Sequence, residues 1–188
     1  MTDKILVLDA MGVLYRHADD VADLLVPYLR ELGCGLPTNQ ITAEYTRCSL
    51  GEFPSAQLWH RLGVAGDDTA YCARHELTPG MPGLLAEATG RVRLACLSND
   101  VTEWSVRLRR RFGLERWIGT WVISAEIGYR KPDPAAYRIL LATLDARPDD
   151  VLFVDDRERN VVAARELGIT AEPFTDLAGL AGLVQQWI

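Results

Sequence analysis

Four short apolar runs, each followed by small polar residues, constrain this chain more than any other feature. They are Ile5–Leu8, 92–97, Thr120–Ile123 and 151–154. Their β-branched content and lack of polar–apolar alternation suit strands of a parallel sheet covered on both faces. Helical patterns lie at 101–112, Pro134–Leu144, 158–167 and Leu177–Trp187. Pro134 is placed for a helix start and Gly168 stands just past a helix end. Strands alternating with helices predict an α/β fold with right-handed crossovers.

Residues 16–78 break this rhythm. They hold helix-like stretches at 21–32, Thr38–Cys48, 55–62 and 67–75, and no strand-like run. The segment PGMPG at 79–83 then marks a return to the first pattern. The expected organisation is therefore a core of residues 1–15 and 79–188, with a helical insertion at 16–78.

The chain of 188 residues is 48% hydrophobic and 24% charged, which suits one buried core and excludes extensive disorder. No run of 18 apolar residues exists, so no membrane-spanning helix is expected. The start reaches Asp9 too soon for a secretory signal, and a cytoplasmic location is expected. A net charge of −6 argues against nucleic acid and acidic membranes as partners. The run RLRRR at 107–111 then reads as a solvated helix face. Cys34, Cys48, Cys72 and Cys96 show no CxxC pair and read as reduced, mostly buried thiols. Of the 20 basic residues only Lys4 and Lys131 are lysines, so an internal Lys131 invites a chemical explanation.

The residues at the strand ends carry the functional signal. The first run ends in Asp9, the second in Ser98 and Asn99, and the last in Asp155 and Asp156. In open α/β sheets ligands bind outside the carboxyl ends of the strands, so these ends predict one convergent site. Lys131, in YRKPDP, can reach the same rim. Crowded carboxylates call for a divalent cation, and oxygen-only ligation favours Mg²⁺. A carboxylate nucleophile can take up a phosphoryl or acyl group. Ser98 and Lys131 suit phosphate oxygens, and Lys131 with a metal would offset developing charge.

Four stretches, LDAMGVLY, LSND, RKPDPAAY and VLFVDDRERNVVAARELGI, resemble the ordered motifs of the haloacid dehalogenase-like hydrolase superfamily. The resemblance spans essentially the whole chain, and the helical insertion resembles that family's small α-helical cap. It implies a Rossmann-like core and a phosphatase acting on a small phosphomonoester. By resemblance, Asp9 is the nucleophile, Ser98 binds phosphate and Lys131 stabilises the anionic intermediate. Mg²⁺ would be held by Asp9, the Met11 carbonyl and Asp156, with Asp155 assisting through water. Asn99 is divided evenly between turn formation and substrate contact. Asn160 is a brace for the last motif, and Tyr45, Trp59 and His60 are candidates to line a pocket, with core packing the commoner role for such aromatics.

One position departs from the family pattern. Most phosphatases of the superfamily have Asp where this chain has Met11, and that Asp moves protons to the leaving group and from water. Acid–base help of this kind is worth about 10²–10⁴-fold in rate. Three explanations compete. A phosphatase with a substitute acid is the first; His17, Asp19 and Asp20 are placed for it, although a solvated helix start is the favoured reading of each. The second is a dehalogenase-like hydrolase, supported by Met11 and the Ser98–Asn99 pair. It is opposed by the Asp155–Asp156 pair, and Arg16 is its weak candidate for a halide pocket. The third is a phosphate-binding regulatory protein. A phosphonate-cleaving relative would need a lysine in 16–78, which has none.

Overall fold

The computed structural model describes residues 4–187; residues 1–3 and 188 of the expected core lie outside the described residues. Among the described residues, five strands form one parallel sheet: β1 Ile5–Leu8, β2 Arg93–Ser98, β3 Thr120–Ile123, β4 Val151–Asp155 and β5 Thr170–Pro173. Their spatial order is β3-β2-β1-β4-β5, every neighbour parallel. The chain moves outward from β1 through β2 to β3, then returns to the other side of β1 for β4. The switch point therefore falls beside β1, where ligands of open α/β sheets gather.

Strand residues alternate between two cores, as the pleat requires. Leu6, Leu8, Leu94, Cys96, Leu152 and Val154 face one side, with Leu85, Trp104, Leu108 and Leu180. Those partners come from α5 Met81–Ala88, α6 Thr102–Arg111 and α10 Leu177–Trp187. Ile5, Val7, Ala95, Leu97, Val151 and Phe153 face the other, with Tyr137 and Leu140 of α8 Pro134–Leu144 and Val161 and Ala164 of α9 Glu158–Glu166. Both faces are covered, so the strands read as unbroken apolar runs.

The structure adds elements that the sequence pattern did not show. Thr170–Pro173 is a fifth strand, short, polar and only partly buried at the sheet edge. Helix α5 begins inside PGMPG, with Gly80 at φ 83° before it and Pro82 in its first turn, where proline is tolerated. A short helix α7, Ser124–Ile127, follows β3. The expected helix at 21–32 divides into π-helical turns over Val21–Leu25 and α1 Val26–Glu31. Val26 N donates to Val21 O five residues back, and the next residue, Pro27, has no N–H to restore the α pattern until further on.

Between β1 and α5 the regular elements are helices, namely α1, α2 Thr38–Cys48, α3 Ser55–Arg61 and α4 Asp68–Cys72. The chain enters and leaves this region side by side. Arg16 N bonds Glu76 O at 2.9 Å, Thr78 N bonds Leu14 O at 2.9 Å, and Tyr15 pairs antiparallel with Leu77. Trp59 is buried in an aromatic cluster with Tyr28, Tyr71 and Trp104, while His60 is exposed. No helix of the described residues is long and apolar enough to cross a membrane.

One carboxylate ties this region to α6. Asp68 accepts from Ser55 Oγ at 2.7 Å, Trp59 Nε1 at 2.8 Å and Trp104 Nε1 at 2.8 Å. Asp68→Ala strands three donors at once. It is expected to lower the unfolding free energy by about 3 kcal/mol, read from the urea midpoint at unchanged slope; a loss below about 0.5 kcal/mol would show that water replaces the carboxylate.

Candidate active site

The carboxyl ends of β2, β1 and β4 lie side by side, and this brings the predicted residues together. Asp9 follows β1, with its N–H on Val154 O at 2.9 Å, so the β1–β4 pairing runs into the site. Its Oδ1 accepts the Ala10 N–H at 2.6 Å. Ser98 ends β2, and its Oγ is buried with no hydrogen-bond partner. Asp155 ends β4 and Asp156 follows it; Asp156 Oδ1 is also buried without a partner.

Lys131 reaches into this cluster from the loop between α7 and α8. Its Nζ lies 2.7 Å from Asp9 Oδ1 and 2.6 Å from Asp155 Oδ2, with 1% of the side chain exposed. Asn99 holds the lysine's backbone. Its Oδ1 accepts the Lys131 N–H at 2.7 Å, and its Nδ2 donates to the Lys131 carbonyl at 2.9 Å. Asn99 thus lines the cavity while its carboxamide positions Lys131. Asn160 Nδ2 donates to both Asp155 oxygens, at 2.9 and 3.0 Å, and the Arg157 N–H donates to Asp155 Oδ1 at 2.8 Å. The asparagine braces Asp155 rather than Asp156.

The charges divide the three carboxylates. Burial and the neighbouring charges of Asp155 and Asp156 push Asp9 up to about 8, against the pull of Lys131. Burial, then the charge of Asp155, also raises Asp156. Asp155 goes the other way: burial opposes its ionisation, but Lys131 and the donors around it hold it below its usual range. Burial likewise opposes a charge on Lys131, and Asp9 and Asp155 outweigh it and raise the lysine.

This donor set fits a divalent cation. Asp9, Asp155 and Asp156 each offer an oxygen, all within 4.8 Å of one another. One lysine leaves the three carboxylates short of positive charge. Asp156 has an oxygen with nothing to bind, whereas Asp155 is saturated by Lys131, Arg157 and Asn160. Hard oxygen ligands of this kind suit Mg²⁺.

Asp9, Ser98 and Lys131 of this cluster line a cavity of about 480 Å³. Met11, Asn99, Tyr45 and Arg159 also line it, as do Thr38, Thr42 and Thr46 along one face of α2. Tyr45 O–H donates to the Asn99 carbonyl at 3.2 Å. Arg130, Arg157 and Arg159 line the cavity, and none forms an ion pair with a carboxylate among the described residues. Arg130 bonds Ser49 Oγ and Arg157 donates to Ala18 O at 2.9 Å. These arginines were not singled out from the sequence, because arginine is spread along the whole chain. Arg16 pairs with Glu76 at 3.1 Å on the surface, apart from the cavity lining.

Gly12 fixes the floor of the cluster. Its φ is +80°, and a Cβ there would lie 2.6 Å from Asp156 Oδ2 and 3.1 Å from Ala18 Cα. Gly33, at φ +82°, has nothing within 4 Å of such a Cβ. Gly33→Ala is expected to cost about 1–2 kcal/mol from left-handed strain alone. Gly12→Ala is expected to exceed it by more than about 1 kcal/mol, since the Asp156 carboxylate must also move. Urea unfolding of both variants checks this, and equal losses would mean that Asp156 swings aside freely.

Comparisons with known proteins agree with this geometry. Residues 4–168 match the family model of haloacid dehalogenase-like hydrolases. The chain is 29% identical over 111 residues to phosphoglycolate phosphatase 1 of Pseudomonas aeruginosa, covering 56% of this chain. It is 33% identical over 100 residues to a phosphoserine phosphatase of Thermus thermophilus, covering 52%. The match spans 40% of the length of each relative. Among solved structures, a HAD family enzyme of Bacteroides thetaiotaomicron in its magnesium complex has the same fold. It shows a TM-score of 0.80 and 19% identity over 96% of this chain and 98% of that one. The L-2-haloacid dehalogenase of Xanthobacter autotrophicus with chloropropionic acid covalently bound gives 0.63 and 19%, over 97% and 82%. By the family match over most of its length, and by the sheet and strand-end residues that match places together, this chain belongs to the haloacid dehalogenase-like hydrolases.

Proposed function

We propose that the chain hydrolyses a small phosphomonoester through a phosphoryl group carried on Asp9, with Mg²⁺ as cofactor. The observation that carries this reading is the pairing of two unsatisfied groups around one activated carboxylate. Ser98 Oγ and Asp156 Oδ1 are buried without partners at the ends of β2 and β4, the strands on either side of β1 and Asp9. A phosphoryl oxygen would satisfy the first and a cation the second.

The roles follow from the contacts. Asp9 Oδ1 is engaged by Lys131 and the Ala10 amide, so Oδ2 is the atom left to attack phosphorus. Lys131 pulls that carboxylate towards its charged form against burial and offsets the phosphoryl oxygens as charge builds. Ser98 holds and orients the phosphoryl group. Mg²⁺ would be held by Asp9, the Met11 carbonyl and Asp156 and would supply charge stabilisation at the phosphoryl group. Asp155, taken up by Lys131, Arg157 and Asn160, holds the lysine rather than a metal-bound water. The dehalogenase reading leaves the unsatisfied Asp156 without a task.

The region of 16–78 acts as a cap that excludes bulk water and selects the leaving group. The narrow antiparallel crossing at 14–16 and 76–78 supports that division. Three arginines without carboxylate partners favour a substrate that is anionic overall, and the threonines of α2 suit a polar leaving group. The phosphatase relatives support the reaction class.

Hydrolysis of an activated aryl phosphate tests the reading, because its leaving group needs little protonation. Turnover is expected with Mg²⁺, and is expected to vanish with chelator. Asp9→Asn is expected to reduce it by more than about a thousandfold. Activity that survives Asp9→Asn would overturn the nucleophile assignment.

A further inference from the structure

The family's usual proton carrier is missing at Met11, and the structure separates the three residues that could replace it. His17 Nδ1 faces Asp23 at 3.4 Å on the surface. Asp19 caps the turns that follow, its Oδ1 accepting the Ala22 N–H at 3.0 Å. Asp20 does neither. Its side chain caps nothing, is buried, and lines the same cavity as Asp9. Oδ2 accepts the Tyr71 O–H at 3.2 Å, and Asp20 forms no ion pair among the described residues. Oδ1 is left for the cavity.

The fold carries Asp20 towards the carboxylate cluster. The Cβ position of Gly12 lies against Asp156 on one side and Ala18 Cα on the other. Arg157 Nη2 holds the Ala18 carbonyl at 2.9 Å. The chain two residues before Asp20 is thus packed across one glycine from the proposed metal ligand.

We propose that Asp20 is the general acid and base of this enzyme, doing from the start of the cap the work that Met11 cannot do. The inference rests on the phosphatase reading. In the first half, Asp9 Oδ2 forms a bond to phosphorus and the P–O bond to the leaving group breaks. The leaving oxygen takes the proton of the Asp20 carboxyl. In the second half, the Asp20 carboxylate takes a proton from water. The water oxygen attacks phosphorus, the bond to Asp9 breaks, and inorganic phosphate departs. Asp20 is again protonated, and the net change is one water consumed for one alcohol and one phosphate.

The surroundings suit both directions of transfer. Burial raises Asp20 to about 6, helped by the charge of Asp19 and opposed by the Tyr71 hydrogen bond and by Arg130 and Arg157. Asp100 and Tyr45 also face it through the same buried region. A carboxyl poised near neutrality gives and takes protons most effectively.

The test is a series of Mg²⁺-supported aryl and alkyl phosphates of rising leaving-group pKa, with wild type and Asp20→Asn, the fold of each checked by thermal melting. Asp20→Asn is expected to keep kcat/KM within about tenfold on the most activated aryl phosphate. On alkyl phosphates it is expected to lose about 10²–10⁴-fold. On the activated aryl phosphates its kcat is expected to fall, with a burst of one phenolate per site as phosphorylated enzyme accumulates. Adding Met11→Asp is expected to restore alkyl turnover. A uniform loss of kcat/KM without a burst assigns Asp20 a structural part only and overturns the proposal. Should Asp20→Asn not fold, Met11→Asp alone decides. A gain below about tenfold on alkyl phosphates means an acid is already in place, and a gain of about 10²-fold or more means none was. Wild type inert on every phosphate would instead sink the phosphatase reading and this inference with it.

Discussion

The site is organised by one buried lysine shared between two buried carboxylates. Lys131 comes from the loop before α8, Asp9 from β1 and Asp155 from β4, so a single ammonium joins three separate parts of the chain. Neither carboxylate would tolerate its burial alone, and the lysine would shed its proton without them. Asn99 and Asn160 complete the arrangement from opposite sides, one on the lysine backbone and one on Asp155. Asp155 is consumed by this framework. Asp156 and Ser98 are left with unused polar atoms. The division between supporting and available oxygens is therefore set by which groups the lysine and the asparagines reach.

Much of this was legible in the sequence, for a physical reason. Strands buried on both faces leave solid apolar runs, and the polar residues that end them must sit together at one edge of the sheet. Asp9, Ser98, Asp155 and Asp156 could be placed on that basis, and Lys131 by the rarity of lysine in this chain. The fifth strand could not: Thr170–Pro173 is half exposed, carries Glu172 and ends in proline. Helix α5 was hidden because Gly80 and Pro82 punctuate its start as they would a turn. Asp20 was named only alongside Asp19, with a solvated helix start as the favoured reading of both, and its burial corrects that reading. Two adjacent aspartates at a helix start look alike, and only the path of the chain shows that Asp19 caps while Asp20 turns inward.

Charge is distributed against the average. The chain carries −6 overall, yet Arg130, Lys131, Arg157 and Arg159 all border one cavity. Surface arginines elsewhere are largely spent on acidic neighbours, as in Arg16 with Glu76, Arg74 with Glu31 and Arg165 with Glu172. Charges farther apart than the screening length of about 8–10 Å hardly feel one another. Within it, the local group of cations decides what enters. A protein that is acidic overall can thus still hold a small anion inside a cleft lined by its own cations.

The paired chain segments at 14–16 and 76–78 have a consequence for how such a protein can diversify. Where the path leaves the sheet layer and where it returns are hydrogen-bonded to each other. The two ends of the excursion are therefore fixed about one strand spacing apart, whatever lies between them. Closing a longer loop on the same two ends costs only about 0.6 kcal/mol for each doubling of length. The helices between can be lengthened, shortened or exchanged while the register of β1 against β2 and β4 stays as it is. The strand-end groups Asp9, Ser98 and Asp155 thereby keep their places while the chain between 16 and 76 varies.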